Sequence, residues 1–432
     1  MFTNAILARS FAVFALVAVL AGSSAAQRPG SGIPRQVKLL NGMRVIMFSD
    51  PADRIDVRLR VHSGAAFDPQ GKEGLMCLLS DAIFPNQASR DFFTDLGGSL
   101  QVTCNYDFIE IAASSNQEGF LTMLETLAAA VATPTIDKDV TAAIKGEAIK
   151  RAAEIEKQPA YAADIAAASH LLGTFPYGRP ANGTPATIEK IDFADLRFAY
   201  GRFFGADNAT LSLSGRYESE LAYRAVRRFF GAWKKSDGRV PPTFRQPDPP
   251  ETAMKTVKSP VAGTGELRMA ARGTSRSSRD YPASLVAAKV VEARLKSASP
   301  SDKRDLVSVA NNANILPGTF VIRFSDIGRP ASSDSAAKPV EFNEIVPKAL
   351  GDRISQAEFD AAKRLVLAER VLIDPMTLWL DTHTYDLRSV KAESDAFTAV
   401  SLADVQAFVD KLRGTPMVSL LLFTPNEENA EN

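Results

Sequence analysis

The chain has 432 residues, 45% of them hydrophobic and 23% charged, with 50 Lys and Arg set against 50 Asp and Glu. This is the composition of a folded protein: too apolar for a disordered chain, too charged for a bundle of membrane spans, and without the basic excess that nucleic-acid phosphates demand. Three His and two Cys leave few of the usual donors for a zinc site.

Residues 1–26 read as a secretory signal. Arg9 precedes the apolar run from Phe11 to Leu20, and Ala21 to Ala26 is the small-residue stretch that a signal peptidase reads. No Cys follows the run, which argues against a lipid anchor, and no later segment has the uninterrupted apolar length of a transmembrane helix. The expectation is an exported chain, periplasmic in a bacterium or otherwise secreted, with no stable membrane span once the signal is cleaved.

Residues 27–35, rich in Gly, Pro and Ser, form a flexible leader. From Val37 to Phe48, Asn41-Gly42 between apolar residues is a hairpin signal. Val57 to Gly64 reads as a strand ending on Gly, and Gly74 to Phe84 as a helix. In that helix Leu75, Leu79, Ala82 and Ile83 share the core face, while Cys77, Ser80, Asp81 and Phe84 form a second stripe. From Leu100 to Phe108 apolar residues take every even position, the pattern of a half-buried strand. Helices follow at Gln117 to Ala132, Lys138 to Glu156, Ala160 to Leu172 and Ile188 to Phe204. Pro241, Pro242, Pro247, Pro249 and Pro250 then mark an extended linker, residues 236–252.

The halves on either side resemble each other. The strand ending on Gly64 returns as Glu266 to Gly273, and the helix opening Ala194-Asp195-Leu196 returns as Ala403-Asp404-Val405, both at an offset of 209 residues. A strand follows the helix each time, Ala209 to Leu213 and Val418 to Leu422. The fold class expected is α+β: two homologous sandwich domains, residues 36–235 and 253–432, each a mostly antiparallel sheet with helices.

Around the Gly74 to Phe84 helix the chain resembles the insulinase, pitrilysin and mitochondrial processing peptidase family of inverted zinc peptidases. The resemblance runs through Leu39 to Val45, Ser63-Gly64, Gly71 to Phe84, Leu96-Gly97-Gly98, Pro176 to Pro180, Gly183-Thr184 and Asn208-Ala209-Thr210. It implies one half of a clamshell built from two related domains. Active members carry His-x-x-Glu-His on this helix, the two His ligating zinc and the Glu activating water. Here those positions read Cys77, Ser80 and Asp81, and Ser80 cannot take a proton from water at neutral pH. The family's last ligand, a Glu on a later helix, falls at Arg151, with Glu147, Glu154 and Glu156 nearby.

What the resemblance implies is therefore a degenerate site with no catalytic residue, the zinc lost and no other cofactor. An Asp81 to Arg151 salt bridge would tie the two helices where zinc once did. The rival reading keeps a metal on Cys77, Asp81 and Glu147. The second-domain Arg and Tyr that grip substrate in active members correspond to Arg304 and to Ser308 or Val309. The sheet edge that pairs with substrate corresponds to Ser99, Leu100, Gln101, Val102 and Thr103. Cys77 and Cys104 can pair in an oxidising compartment, although Cys104, on the apolar face of its strand, fits a buried free thiol equally well. The function implied is a non-catalytic peptide-binding or partner subunit for a catalytic homologue, with extended peptides as ligands and no nucleic acid. A divergent hydrolase using the altered site, or a stand-alone periplasmic binding protein, is the alternative.

Overall fold

The computed structural model describes residues 32–299, 301–327 and 337–424; the signal segment 1–26 and most of the leader lie outside the described residues. The first half runs β1 (Arg35–Lys38), β2 (Arg44–Ser49), β3 (Ile55–Val61), α1 (Leu75–Ile83), α2 (Gln87–Asp95), β4 (Ser99–Cys104) and β5 (Ile109–Ser115). It continues through α3 (Phe120–Ala132), α4 (Lys138–Glu156), α5 (Pro159–Leu172), α6 (Pro185–Glu189), α7 (Phe193–Phe203), β6 (Ala209–Gly215) and α8 (Ser219–Phe230). The second half runs β7 (Lys255–Val257), β8 (Gly265–Arg272), α9 (Tyr281–Ala298), β9 (Val307–Asn312), β10 (Thr319–Phe324) and α10 (Ala337–Gly351). It ends with α11 (Gln356–Val371), α12 (Pro375–Thr384), α13 (Val390–Ala399), α14 (Leu402–Arg413) and β11 (Met417–Phe423). No described helix is long and apolar enough to cross a membrane.

Three differences from the sequence expectation have a local reason. The strand expected from Leu100 to Phe108 stops at Cys104, because the Asn105 side chain accepts hydrogen bonds from the Asp107 and Phe108 amides and turns the chain. The helix expected from Ile188 to Phe204 is two helices. Asp192 caps the second of them by accepting from the Ala194 and Asp195 amides, which stops the first from continuing. Helix α2 is an addition, capped by Asn86 accepting from the Ser89 amide and burying only Phe93.

The first sheet has the order β1-β2-β6-β3-β5-β4 and the second β7-β11-β8-β10-β9. All neighbours are antiparallel except β2 with β6 and β11 with β7. The last five strands of the first sheet therefore recur in the second, in the same order and with the parallel pair in the same place. Even the register repeats at the sequence offset: Leu59 faces Leu211 across β3 and β6, and Arg268 faces Leu420 across β8 and β11.

Each sheet is covered on both faces. Odd positions of β3 and β5 (Val57, Leu59, Ile109, Ile111) join α1, α3, α4, α7 and α8 in one core, and β8 and β10 do the same with α9, α11 and α14. The opposite faces are covered by exchanged helices: α12 of the second half packs Met376 on Ile46 and Phe48, and α5 of the first half packs Ala163 and Ala167 on Leu420 and Leu422. Sheets buried on both sides require apolar runs such as Val45-Ile46-Met47-Phe48.

Arginines fix these exchanged helices. Arg60 of β3, 2% exposed, donates to Glu110 (2.8 Å) and to Asp381 of α12 (2.7 Å) and stacks on the Phe108 ring. Beside it Arg58 donates to Asp374 (2.6 Å) and Thr377 (2.9 Å) at the start of α12. The mirror arrangement has Arg268 of β8 and Arg323 of β10 both donating to Asp164 of α5. The linker residues 236–252, without helix or strand, are held to both halves. Arg239 donates to the His383 and Thr384 carbonyls, Arg272 donates to those of Pro247 and Asp248, and Phe244 packs on Phe67 and Phe175.

Replacing Arg60 by Met keeps the volume and leaves Glu110 and Asp381 short of a buried partner. The expected loss of stability is about 3–5 kcal/mol, read from urea unfolding of Arg60→Met against the native chain. A loss below about 1 kcal/mol would show that the pair is dispensable.

Candidate functional site

The site helix α1 is built from its N-terminus. Asp68 is buried and accepts from the Gly74 (2.7 Å) and Met76 (2.8 Å) amides, two of the donors that a helix start leaves unsatisfied. Burial pushes its carboxyl up to about 7 in spite of those amides. Gly74 has φ +97°, and a Cβ there would lie 2.9 Å from the Asn182 carbonyl oxygen; Gly183, at φ +71°, closes against Glu73 from the other side. Thr187 Oγ1 donates to the Glu73 carbonyl, and Arg179 donates to the Asp68 carbonyl and the Glu73 carboxylate. The segment from Arg179 to Thr187 thus supplies the cradle in which α1 begins.

One turn into α1 stand three of the four degenerate positions, Cys77, Ser80 and Asp81; the fourth, Arg151, is on α4. Cys77 is joined to Cys104 of β4 by a disulfide, with a Cα–Cα distance of 5.3 Å. This settles the pairing that the sequence leaves open: the apolar face of β4 that carries Cys104 is the face turned toward α1. Ser80 is buried, its hydroxyl donating to the Cys77 carbonyl at 2.7 Å. Asp81 accepts from the Arg151 guanidinium of α4. Burial pushes the Asp81 carboxyl up, and Arg151 and then Arg90 of α2 pull it back. Of the expected second stripe, Ser80 and Phe84 are buried, and only Cys77 and Asp81 reach the cavity.

That cavity holds about 190 Å³, between α1 and α4, with Asp81, Arg151, Ile155 and Asn182 among its lining residues. These residues do not fit a zinc ion. A disulfide sulfur is not a thiolate, the Asp81 carboxylate faces a cation, and Glu147, the third donor of the rival reading, is exposed and accepts from Lys150 at 2.8 Å. Among the described residues no group of three or more His, Cys, Asp and Glu could hold a metal.

Ser99, Leu100, Gln101, Val102 and Thr103 lie on β4, the outer strand of the first sheet, which among the described residues is paired on one side only, with β5. Ser99, Gln101 and Thr103 are exposed, while Leu100, Val102 and Cys104 are half-buried toward the helices. Arg304 is not brought into this group: it is exposed on the short turn Ser301–Leu306, which packs on α9 and β9 in the second half. Ser308 is exposed and Val309 buried on β9, the edge of the other sheet. The residue that sequence reasoning missed is Arg90; the capping signal of Asn86 followed by Ser89 would have placed it on a helix beside the site.

Two descriptions from one peptidase family match the chain: "Insulinase (Peptidase family M16)" over residues 44–181 and "Peptidase M16 inactive domain" over residues 190–300. Together they cover more than half of it. No curated protein matches. Among solved structures, the chain is similar to a peptidase M16 inactive domain from Pseudomonas fluorescens, at 20% identity, TM-score 0.78, covering 91% of this chain and 98% of that one. It is also similar to a protease from Helicobacter pylori, at 16% identity and TM-score 0.79, covering 90% and 99%. The periplasmic protease PqqL from Escherichia coli matches at 13% identity and TM-score 0.70, over 93% of this chain and 49% of that one. At these identities the likeness is one of fold.

The disulfide closes a loop across a sequence separation of 27, which in the unfolded chain is a constraint of about 3 kcal/mol. A Cys77→Ala, Cys104→Ala double variant is expected to lose about that much in urea unfolding. Unreduced, denatured native protein should release no thiol to a thiol-specific dye, and two reactive thiols per chain would contradict the pairing.

Proposed function

The chain belongs to the insulinase (M16) peptidase family, and on that premise we propose that it is a non-catalytic member acting as an exported peptide-binding or partner subunit. One observation carries the reading. The positions of the metal ligands and the general base hold a disulfide, a buried hydroxyl and an ion pair, while the sheet edge beside them stays open. Nothing in that set can take a proton from water at neutral pH, polarise a carbonyl and hold an attacking oxygen together. Zinc is absent from the working protein in this reading, and no other cofactor replaces it.

What the arrangement can do is bind. An edge strand offers unpaired N–H and C=O groups, and an extended peptide completes them whatever its side chains, with alternate residues directed to the helix layer. The disulfide holds that edge to α1 and the Asp81 to Arg151 pair holds α1 to α4, so the surface is formed before a ligand arrives and little ordering is lost on binding. A catalytic homologue is the natural partner. In the PqqL structure the part matched is only about half of that chain, and its first half alone is matched at 93%. A second unit in trans would supply what such a longer chain carries in cis. The signal-like N-terminus and the periplasmic relative support export to the periplasm.

The purified chain alone is expected to leave a mixture of unstructured peptides intact, with or without a chelator, and to recover a homologue bearing His-x-x-Glu-His from native extracts. Chelator-sensitive cleavage by the chain alone, lost in Ser80→Ala or Asp81→Asn, would contradict the proposal.

A further inference from the structure

Between Leu221 and Ser236 the chain carries five cations, Arg224, Arg227, Arg228, Lys234 and Lys235, and no Asp or Glu. Helix α8 places the first three on one exposed stripe at spacings of three and four, while Ala222, Ala225, Val226 and Phe230 fill the core behind them. The two lysines follow just past the Gly231 cap and are exposed as well. None of the five forms an ion pair with another described residue; Arg227 lies over the Tyr223 ring and Arg228 over the Phe229 ring. Most acids close by are already used. Glu218 caps the start of α8, Glu220 pairs with Arg35, and the oxygens of Asp207 accept from the Ser236 and Gly238 amides. Counting Glu125 on the neighbouring α3 and Asp237 against the five, the surface still has three cations in excess.

A helix C-terminus attracts cations, which accounts for Arg227 and Arg228 in the last turn. Arg224 stands a turn earlier and the lysines lie beyond the cap, so the helix dipole does not explain them. At the same end of α8, Asn41 on the β1–β2 turn donates to the Phe230 (2.8 Å) and Trp233 (3.1 Å) carbonyls, and Leu40 beside it is 101% exposed. A leucine wholly in water next to a cationic stripe is the combination that an anionic bilayer surface satisfies: headgroup phosphates meet the cations and the apolar side chain enters the interfacial region. The stripe lies on a convex helix and its side chains are long, and a fluid lipid surface requires no fixed spacing among them. The N-terminal end of the chain enters the fold on this face, where Arg35 of β1 donates to Glu220 at 2.6 Å. The residues between Leu20, the end of the apolar run, and Arg35 span at most about 50 Å when extended. With residues 1–26 read as an export signal, the face stands within reach of the membrane that the chain crosses.

We propose that the α8 face is a membrane-docking surface: Arg224, Arg227, Arg228, Lys234 and Lys235 hold the exported chain against a bilayer rich in anionic lipid, and Leu40 enters its interfacial region. The docking is peripheral and reversible by salt. It goes beyond the peptide-binding reading and uses no residue of that site.

The test is co-sedimentation of the purified exported chain, its N-terminus fixed by mass spectrometry, with vesicles of phosphatidylcholine alone or mixed in equal parts with phosphatidylglycerol. The anionic vesicles are expected to bind it about 100-fold more strongly, the effect of three excess charges, and high salt should release it. The triple variant Arg224→Gln, Lys234→Gln, Lys235→Gln removes three cations that touch no carboxylate, and it should lose nearly all of that difference while melting with the native chain. A control with the same change of net charge, Arg245→Gln, Lys391→Gln, Arg413→Gln, takes its exposed cations from the linker and the second half and should bind as the native chain does. Leu40→Ser should weaken binding to the anionic vesicles severalfold. Equal binding to both kinds of vesicle, or an equal loss in the triple variant and its control, would overturn the proposal. So would binding to heparin as tight as to the anionic vesicles together with indifference to Leu40→Ser, which would make the face a site for soluble polyanions.

Discussion

Two arginine clamps hold the molecule in its shape. Each sheet has one face covered by a helix from the other half, and in each case the helix is fixed by arginines of the sheet reaching its carboxylates: Arg58 and Arg60 to Asp374 and Asp381, Arg268 and Arg323 to Asp164. Buried ion pairs of this kind add little net stability over a well-packed apolar contact, but they tolerate only one partner and one register. Such pairs suit an exchange between two halves of similar fold, where a purely apolar face would accept either helix. With both faces of each sheet covered, an extended chain can join a sheet only at an edge, and β4 is the edge beside the altered site.

The site follows from that constraint. In the metallopeptidases that this chain resembles, a metal ties the helix equivalent to α1 to a second helix and supplies the chemistry. Here the tie is divided. An ion pair joins α1 to α4, a disulfide joins α1 to the edge strand, and the N-terminal cradle of Asp68, Gly74, Gly183 and Arg179 is complete. The supports of helix α1 are complete, while the positions of the metal ligands and general base carry other groups.

Much of this was legible in sequence, because the signals involved are periodic or local. The 209-residue offset reappears as a repeated strand register, helix α4 has the expected ends, and the even-numbered row of β4 faces the helices. The Asp81 to Arg151 contact follows from two substitutions on helices whose pairing the family resemblance implies. Other features depend on contacts distant in sequence. A half-buried Cys104 has the same local pattern whether its thiol is free or bonded, and only the approach of α1 decides. Helix α2 is short and buries a single large side chain, Phe93. Nor does alternation in β3 distinguish an arginine facing solvent from one buried beneath a helix contributed by the other half. Arg304, carried over from relatives as a second-domain position, lies on the turn Ser301–Leu306 of the second half.

The central claim is that a metallopeptidase scaffold persists and that only its donors have been exchanged. Restoring them together, as Cys77→His, Ser80→Glu, Asp81→His and Arg151→Glu, with Cys104→Ala to leave no free thiol, tests it directly. The folded variant, dialysed against zinc and measured by elemental analysis beside the native chain, is predicted to retain about one zinc per chain, held by two His and a Glu, while the native chain retains none. A variant that keeps the native circular dichroism spectrum yet retains no zinc would contradict the account.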